Sequence, residues 1–150
     1  NHEMVSEAAR AFGNLSRDED ARRAMRRRGV VEALVLLLAH SARDVVFAAA
    51  GALVNAAVDG REVLWEHGAH EELVSVIRRA GVQDLDLAAV ACKALHNLLL
   101  DAAAGATADL LGGATHDRLL DTLGELVAVA DGGARDFLAA AGALRAILEE

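Results

Sequence analysis

Three asparagines lie 41 and 42 residues apart in matching surroundings: Asn14 in EAARAFGNLS, Asn55 in AAAGALVNAAVDG and Asn97 in AVACKALHNLLLD. A fourth copy, AAAGALRAILEE, carries Ala146 in the same slot. The agreement extends around the marker. Six residues before it stand Ala8, Ala49, Ala91 and Ala140, and three before it Ala11, Ala52, Ala94 and Ala143. Two before it stand Phe12, Leu53, Leu95 and Leu144. These positions share one face of a helix, and small residues there let a second helix approach closely. A recurrence of this length marks a repeat array. Each unit has too little surface to bury alone and must stack on its neighbours.

Composition agrees with helices throughout. The chain has no proline or tyrosine, three Phe and one Trp, and 54% of its residues are hydrophobic. Sandwiches and barrels draw on β-branched and aromatic residues that are scarce here, so the expected class is all-α. A second landmark divides each period: Gly29, Gly68 and Gly113 each precede an apolar-periodic segment, where glycine closes one helix and lets the next begin. Each unit then reads as a short helix, a glycine, a middle helix, a turn, and a long helix bearing the Asn. Asp44, Asp84 and Asp136 stand where the long helices begin, as caps or as charges favoured by the helix dipole.

The resulting division is a single domain over residues 1–150, with units at 1–18 (last helix only), 19–59, 60–101 and 102–150. The last is stretched, and its extra length is assigned to loops around LLLDAAAGATADLLGG and AVADGGARD. The first helix lacks its two companions, so its apolar face is expected to pack on something upstream, in a fragment of a longer protein.

Charge and motifs narrow the function. The net charge is −8, with +1 on residues 1–58 and −9 on 59–150. Few aromatics and no broad cationic surface argue against nucleic acid. No apolar run approaches the roughly 18 residues of a membrane span. The single cysteine, Cys92, fits a reducing, cytoplasmic setting. It takes an alanine's place in the repeat register and reads as a buried structural thiol. WEHGAHEE brings His67 and His70 near carboxylates, but a glycine junction separates them and zinc needs three or four convergent ligands. No metal or cofactor is expected. Trp65 reads as an apolar anchor of its repeat. No phosphate loop, nucleophile elbow or triad is present, so no enzyme is expected.

Three helices per unit, with Gly at the first junction and A-L-x-N-L in the third helix, resemble the armadillo repeat. The resemblance implies a right-handed α-solenoid of three full repeats plus the last helix of a preceding one. It further implies a non-catalytic scaffold or adaptor that binds a protein partner. The family's usual proline after the glycine is absent. In that family the third helices line a concave groove, and Asn side chains grip the backbone of an extended peptide. This implies partner-binding roles for Asn14, Asn55 and Asn97. The amides could instead tie neighbouring helices together, and both roles remain open at this point.

One turn before each Asn stand Arg10, Gly51, Lys93 and Gly142, where importin-type members carry Trp. A nuclear-import receptor is therefore disfavoured. Arg10 and Lys93 would suit an acidic or mixed segment. RRAMRRRG (residues 22–29) offers a second candidate surface, with Arg26, Arg27 and Arg28 able to dock an acidic partner. The alternative is a solvated helix face with Ala21, Ala24 and Met25 inward.

Asp44–Phe47, Val54–Asn55, Val58–Asp59 and Cys92–Lys93 with Leu95 and Asn97 are similar to the C-terminal region of ciliary armadillo proteins. That likeness implies a role in assembly or transport of axonemal complexes such as radial spokes, in a cilium or flagellum. A purely architectural subunit, or a regulator of a GTPase or chaperone, would suit the fold as well.

Overall fold

Two glycines set the first corner of two units. In the computed structural model, which describes residues 1–150, Gly29 (φ 73°, ψ 16°) and Gly68 (φ 72°, ψ 26°) are left-handed. An L side chain there would cost roughly 1–2 kcal/mol. Gly29 joins α2 (Glu19–Arg27) to α3 (Val30–Leu37), and Gly68 joins α5 (Arg61–Glu66) to α6 (Ala69–Ala80). The third corner corrects the sequence reading. Gly113 is the first residue of α9 (Gly113–Val129), and the turn residue is Gly112 (φ 84°, ψ 133°). The segment expected to be a loop before it also contains a short helix, α8 (Thr107–Leu111).

The long helices are α1 (His2–Leu15), α4 (Arg43–Ala56), α7 (Leu85–Leu99) and α10 (Arg135–Leu148). Asp84 caps α7 by accepting the Leu87 N–H at 3.1 Å. Asp44 and Asp136 lie inside the first turn and make no cap bond, so they act on the dipole alone. No strand is present.

The long helices form one layer: α1 packs on α4, α4 on α7, and α7 on α10. On the other side α3 and α6 cover α4 and α7, and α9 covers α10. This is an all-α solenoid with one continuous core, from Ala9 in α1 to Leu148 in α10. The repeated alanines explain the spacing. Ala49, Ala52, Ala91 and Ala94 are fully buried against the preceding long helix. A Cβ on Gly13 would lie 3.9 Å from the Ala52 backbone nitrogen, so α1 and α4 meet nearly backbone to backbone. Matching positions on α1 have no such cover. Met4 is 72% and Leu15 52% exposed, whereas their counterparts Val45 and Ala56 are buried.

Arginines clamp successive units. Asp59, just after α4, accepts Arg22 Nε at 3.0 Å and Arg26 Nη1 at 2.8 Å, while Arg22 also reaches the Ser16 carbonyl at 3.0 Å. Asp101, Asp59's counterpart one repeat on, pairs with Arg61, whose Nε donates to the Asn97 carbonyl at 2.7 Å. Arg43 forks onto Asp84 at 2.9 and 3.1 Å, and Arg79 donates to the Leu38 carbonyl at 2.7 Å. The arginine-rich stretch is thereby divided. Arg22 and Arg26 turn inward beside the buried Met25, and Ala24, expected inside, is exposed. Arg27 and Arg28 project into solvent without an ion pair.

Titration of four groups predicts the pH profile. Burial lowers the His70 pKa below its ordinary 6.5, only partly opposed by Glu71. The Arg43 hydrogen bond, against a smaller opposing effect of burial, holds Asp84 below 3.8. Burial raises Asp59, but Arg22 and Arg26 together outweigh it and leave it lowered. Between a lowered native pKa and the ordinary value the unfolded chain binds more protons, so stability rises with pH across each window. Urea midpoints should therefore be flat between pH 6.5 and about 8, decline below 6.5 as unfolded His70 protonates, and decline again below 3.8. They should also decline above pH 9, where the unfolded chain loses the Cys92 proton that burial keeps on the native thiol. His70→Gln should remove the first decline and leave the second; a first decline that survives the substitution would assign it elsewhere.

Candidate functional site

The long helices stand side by side, and the furrow between α1 and α4 is open at the surface. Its volume is about 520 Å³. Arg10, Gly13, Asn14 and Arg17 form one wall; Arg43, Phe47, Gly51 and Asn55 form the other. These positions recur one turn apart along each helix, so the groove face follows from the register that buries the alanines. Arg10 pairs with Glu7 at 2.6 Å, both largely exposed. Arg43 lies 4.5 Å from the centre of the Phe47 ring, and its bond to Asp84 fixes it there. Arg17 has no ion pair, and Asp44 is the one acid lining the groove.

A second, smaller furrow of about 220 Å³ continues between α7 and α10, lined by Val54, Lys93, His96, Asn97, Ala140 and Ala143. Lys93 is exposed and unpaired. The predicted residues thus separate into three places. Arg10, Asn14 and Asn55 share the first furrow; Lys93 and Asn97 share the second; Arg26, Arg27 and Arg28 line neither.

The asparagines are partly committed inside the chain. Asn55 Nδ2 donates to Ser16 Oγ at 3.0 Å, and that hydroxyl donates to the Gly13 carbonyl at 2.6 Å. Asn97 Nδ2 donates to the Val54 carbonyl at 2.9 Å. Each reaches the preceding repeat, while the Asn55 Oδ1 makes no bond within the chain. Asn14 is exposed and makes no side-chain hydrogen bond. Removing both inter-repeat bonds, in the double variant Asn55→Ala and Asn97→Ala, should lower the unfolding free energy by about 1–3 kcal/mol. Urea denaturation checks this; an unchanged midpoint would show that the two bonds contribute nothing.

Sequence reasoning missed Arg17 and Phe47. The register carried a signal for the second: Phe47 stands where the other copies have Ser6, Ala89 and Leu138. Elsewhere the chain offers no converging group of three or more His, Cys, Asp or Glu side chains. No helix is long and apolar enough to cross a membrane. Trp65 packs against the core, its ring 4.3 Å from that of His70.

A ladder of long helices with paired short helices behind it defines a helical-repeat protein of the solenoid class. The particular repeat is identified by residues 18–58, which match the family model of the Armadillo/beta-catenin-like repeat. Over 99 residues, 65% of this chain, it is 38% identical to Armadillo repeat-containing protein 2 of Mus musculus. It is 37% identical over the same length to the proteins of that name from Bos taurus and Homo sapiens. The matched segment covers only 12% of the mouse protein and 11% of the other two. Residues 18–58 thus match one repeat of this type, and a 99-residue segment of the chain is similar to part of Armadillo repeat-containing protein 2. Armadillo-repeat proteins in general act as protein-interaction scaffolds and are typically non-catalytic.

Proposed function

We propose that this chain is a non-catalytic adaptor whose furrow between α1 and α4 holds an extended, acidic segment of a protein partner. The observation that carries this is the concentration of guanidinium groups there. Arg10, Arg17 and Arg43 line the furrow with one carboxylate, Asp44, on a chain whose net charge is −8. Arg10 is paired with the exposed Glu7 and Arg43 with Asp84, which leaves Arg17 as the guanidinium without an ion pair. Charge complementarity of this kind steers association and selects the partner. Asn14 and the free Oδ1 of Asn55 offer hydrogen bonds to peptide units irrespective of side chains.

The test is a titration of a fluorescein-labelled peptide rich in Asp and Glu. Binding should weaken with salt, and Arg17→Glu should reduce affinity by roughly tenfold. Equal binding of a Lys-rich control would overturn the reading. The likeness to ciliary armadillo proteins extends the proposal to a cytoplasmic or ciliary adaptor that assembles or transports axonemal complexes. Co-sedimentation of the chain with radial-spoke precursors, lost on Arg10→Glu and Arg17→Glu, supports that extension; unaltered co-sedimentation excludes the groove from it.

A second reading, a mainly architectural module, draws on the apolar face of α1. Met4, Ala8, Ala11 and Leu15 are exposed there in the register that is buried in α4 and α7. In that case Ala8→Glu would abolish partner binding and the groove variants would not.

A further inference from the structure

Gly51 sits in the middle of α4, and nothing in the fold calls for a glycine there. Its φ is not positive, and a Cβ added to it would meet no atom within 4 Å. Glycine is the poorest helix former after proline, so alanine would suit the helix better. Gly13, by contrast, serves a close approach to Ala52. Gly124 and Gly142 are also free of neighbours, but neither lines the groove beside an aromatic ring.

Phe47 stands one turn before Gly51 on the same face of α4 and is 37% exposed. Arg43 lies over its ring, and its hydrogen bonds to Asp84 favour that position over the space beside it. Ala48 and Ala52 flank the glycine, and Arg10 and Arg17 stand across the furrow. The other copies lack this combination. Where the position of Gly51 is open again, at Gly142, the Phe47 position is a partly buried leucine, Leu138.

We infer that Gly51 is the floor and Phe47 the end wall of a slot that takes one bulky apolar side chain of the bound segment, with carboxylates on either side of that side chain reaching Arg10 and Arg17. This rests on the groove reading above and adds the partner's chemistry to it: an apolar anchor within an acidic stretch. The missing Cβ supplies depth, the ring supplies a flat apolar contact, and the guanidinium groups fix the flanks.

The test uses the full chain and two twelve-residue peptides with identical acidic flanks, one with a central Leu and one with a central Ala. Affinities are read by fluorescence anisotropy and by the ¹⁵N amide shift of residue 51. The Leu peptide should bind about tenfold more tightly, as expected for burying most of the extra methyl and methylene groups. Gly51→Leu places the chain's own side chain in the slot. It should erase the preference, keep the affinity for the Ala peptide, and leave the melting temperature unchanged or higher. Phe47→Ala should reduce the preference. Equal affinities on the unsubstituted chain, or a preference that survives Gly51→Leu, would overturn the slot and leave the groove reading standing. If neither peptide binds, both fall.

Discussion

Leu95→Ala is expected to lower the unfolding free energy by about 2–5 kcal/mol, the range for deleting a leucine side chain from a packed core. Leu95 is fully buried near the middle of α7, and α7 packs on α4, α6 and α10. Its loss opens a void at the joint between units. Native domains hold only about 5–15 kcal/mol in reserve, so one such void consumes a large share. Position along the solenoid should matter as much as chemistry. Phe12 occupies the same register slot in α1 but is only half-buried, since α1 has a long helix on one side alone. In a stack stabilised by nearest-neighbour contacts, Phe12→Ala should cost less than Leu95→Ala despite removing the larger side chain. Urea denaturation followed by far-ultraviolet circular dichroism compares the two. A larger cost at Phe12 would contradict the one-dimensional account of stability.

That comparison also shows what a repeat makes legible. The alanines three and six residues before each marker announce helices that touch, and Ala49, Ala52, Ala91 and Ala94 do so. The all-α class and the order short helix, glycine, middle helix, long helix were readable because each position is stated several times over. Features stated only once were harder. Gly112 rather than Gly113 makes the third corner because helix ends depend on a single residue's backbone. The inward turn of Arg22 and Arg26 depends on Asp59, more than thirty residues away and adjacent only after folding. Asn55 and Asn97 illustrate the same limit. Their spacing revealed the repeat, but the hydroxyl and carbonyl that receive their amide hydrogens lie 39 and 43 residues back. The register singled out Arg10, Asn14 and Asn55, which line one furrow; Arg17 and Phe47 join them there only through three-dimensional placement.

Cys92 is expected to react with iodoacetamide at pH 8 at least a thousandfold more slowly than a free exposed cysteine. Its slot in the register is filled by Ala9, Ala50 and Ala141 in the other copies, and all four residues are buried. Burial raises the thiol pKa from 9.0 to about 12. That shift alone cuts the thiolate fraction about a thousandfold. A more basic thiolate is a better nucleophile, which returns roughly twentyfold, so acidity accounts for a net slowing of about fifty. Access supplies the rest, because a sulfur with no exposed surface reacts only when its helix opens. The labelling rate is therefore a measure of local opening at α7, and it links the two predictions. Leu95 lies on the same helix less than one turn away, so Leu95→Ala should accelerate labelling far more than Phe12→Ala does. Mass spectrometry of timed quenches reads both rates. Labelling of the unsubstituted chain within tenfold of free cysteine would show that α7 is not the rigid centre of the stack.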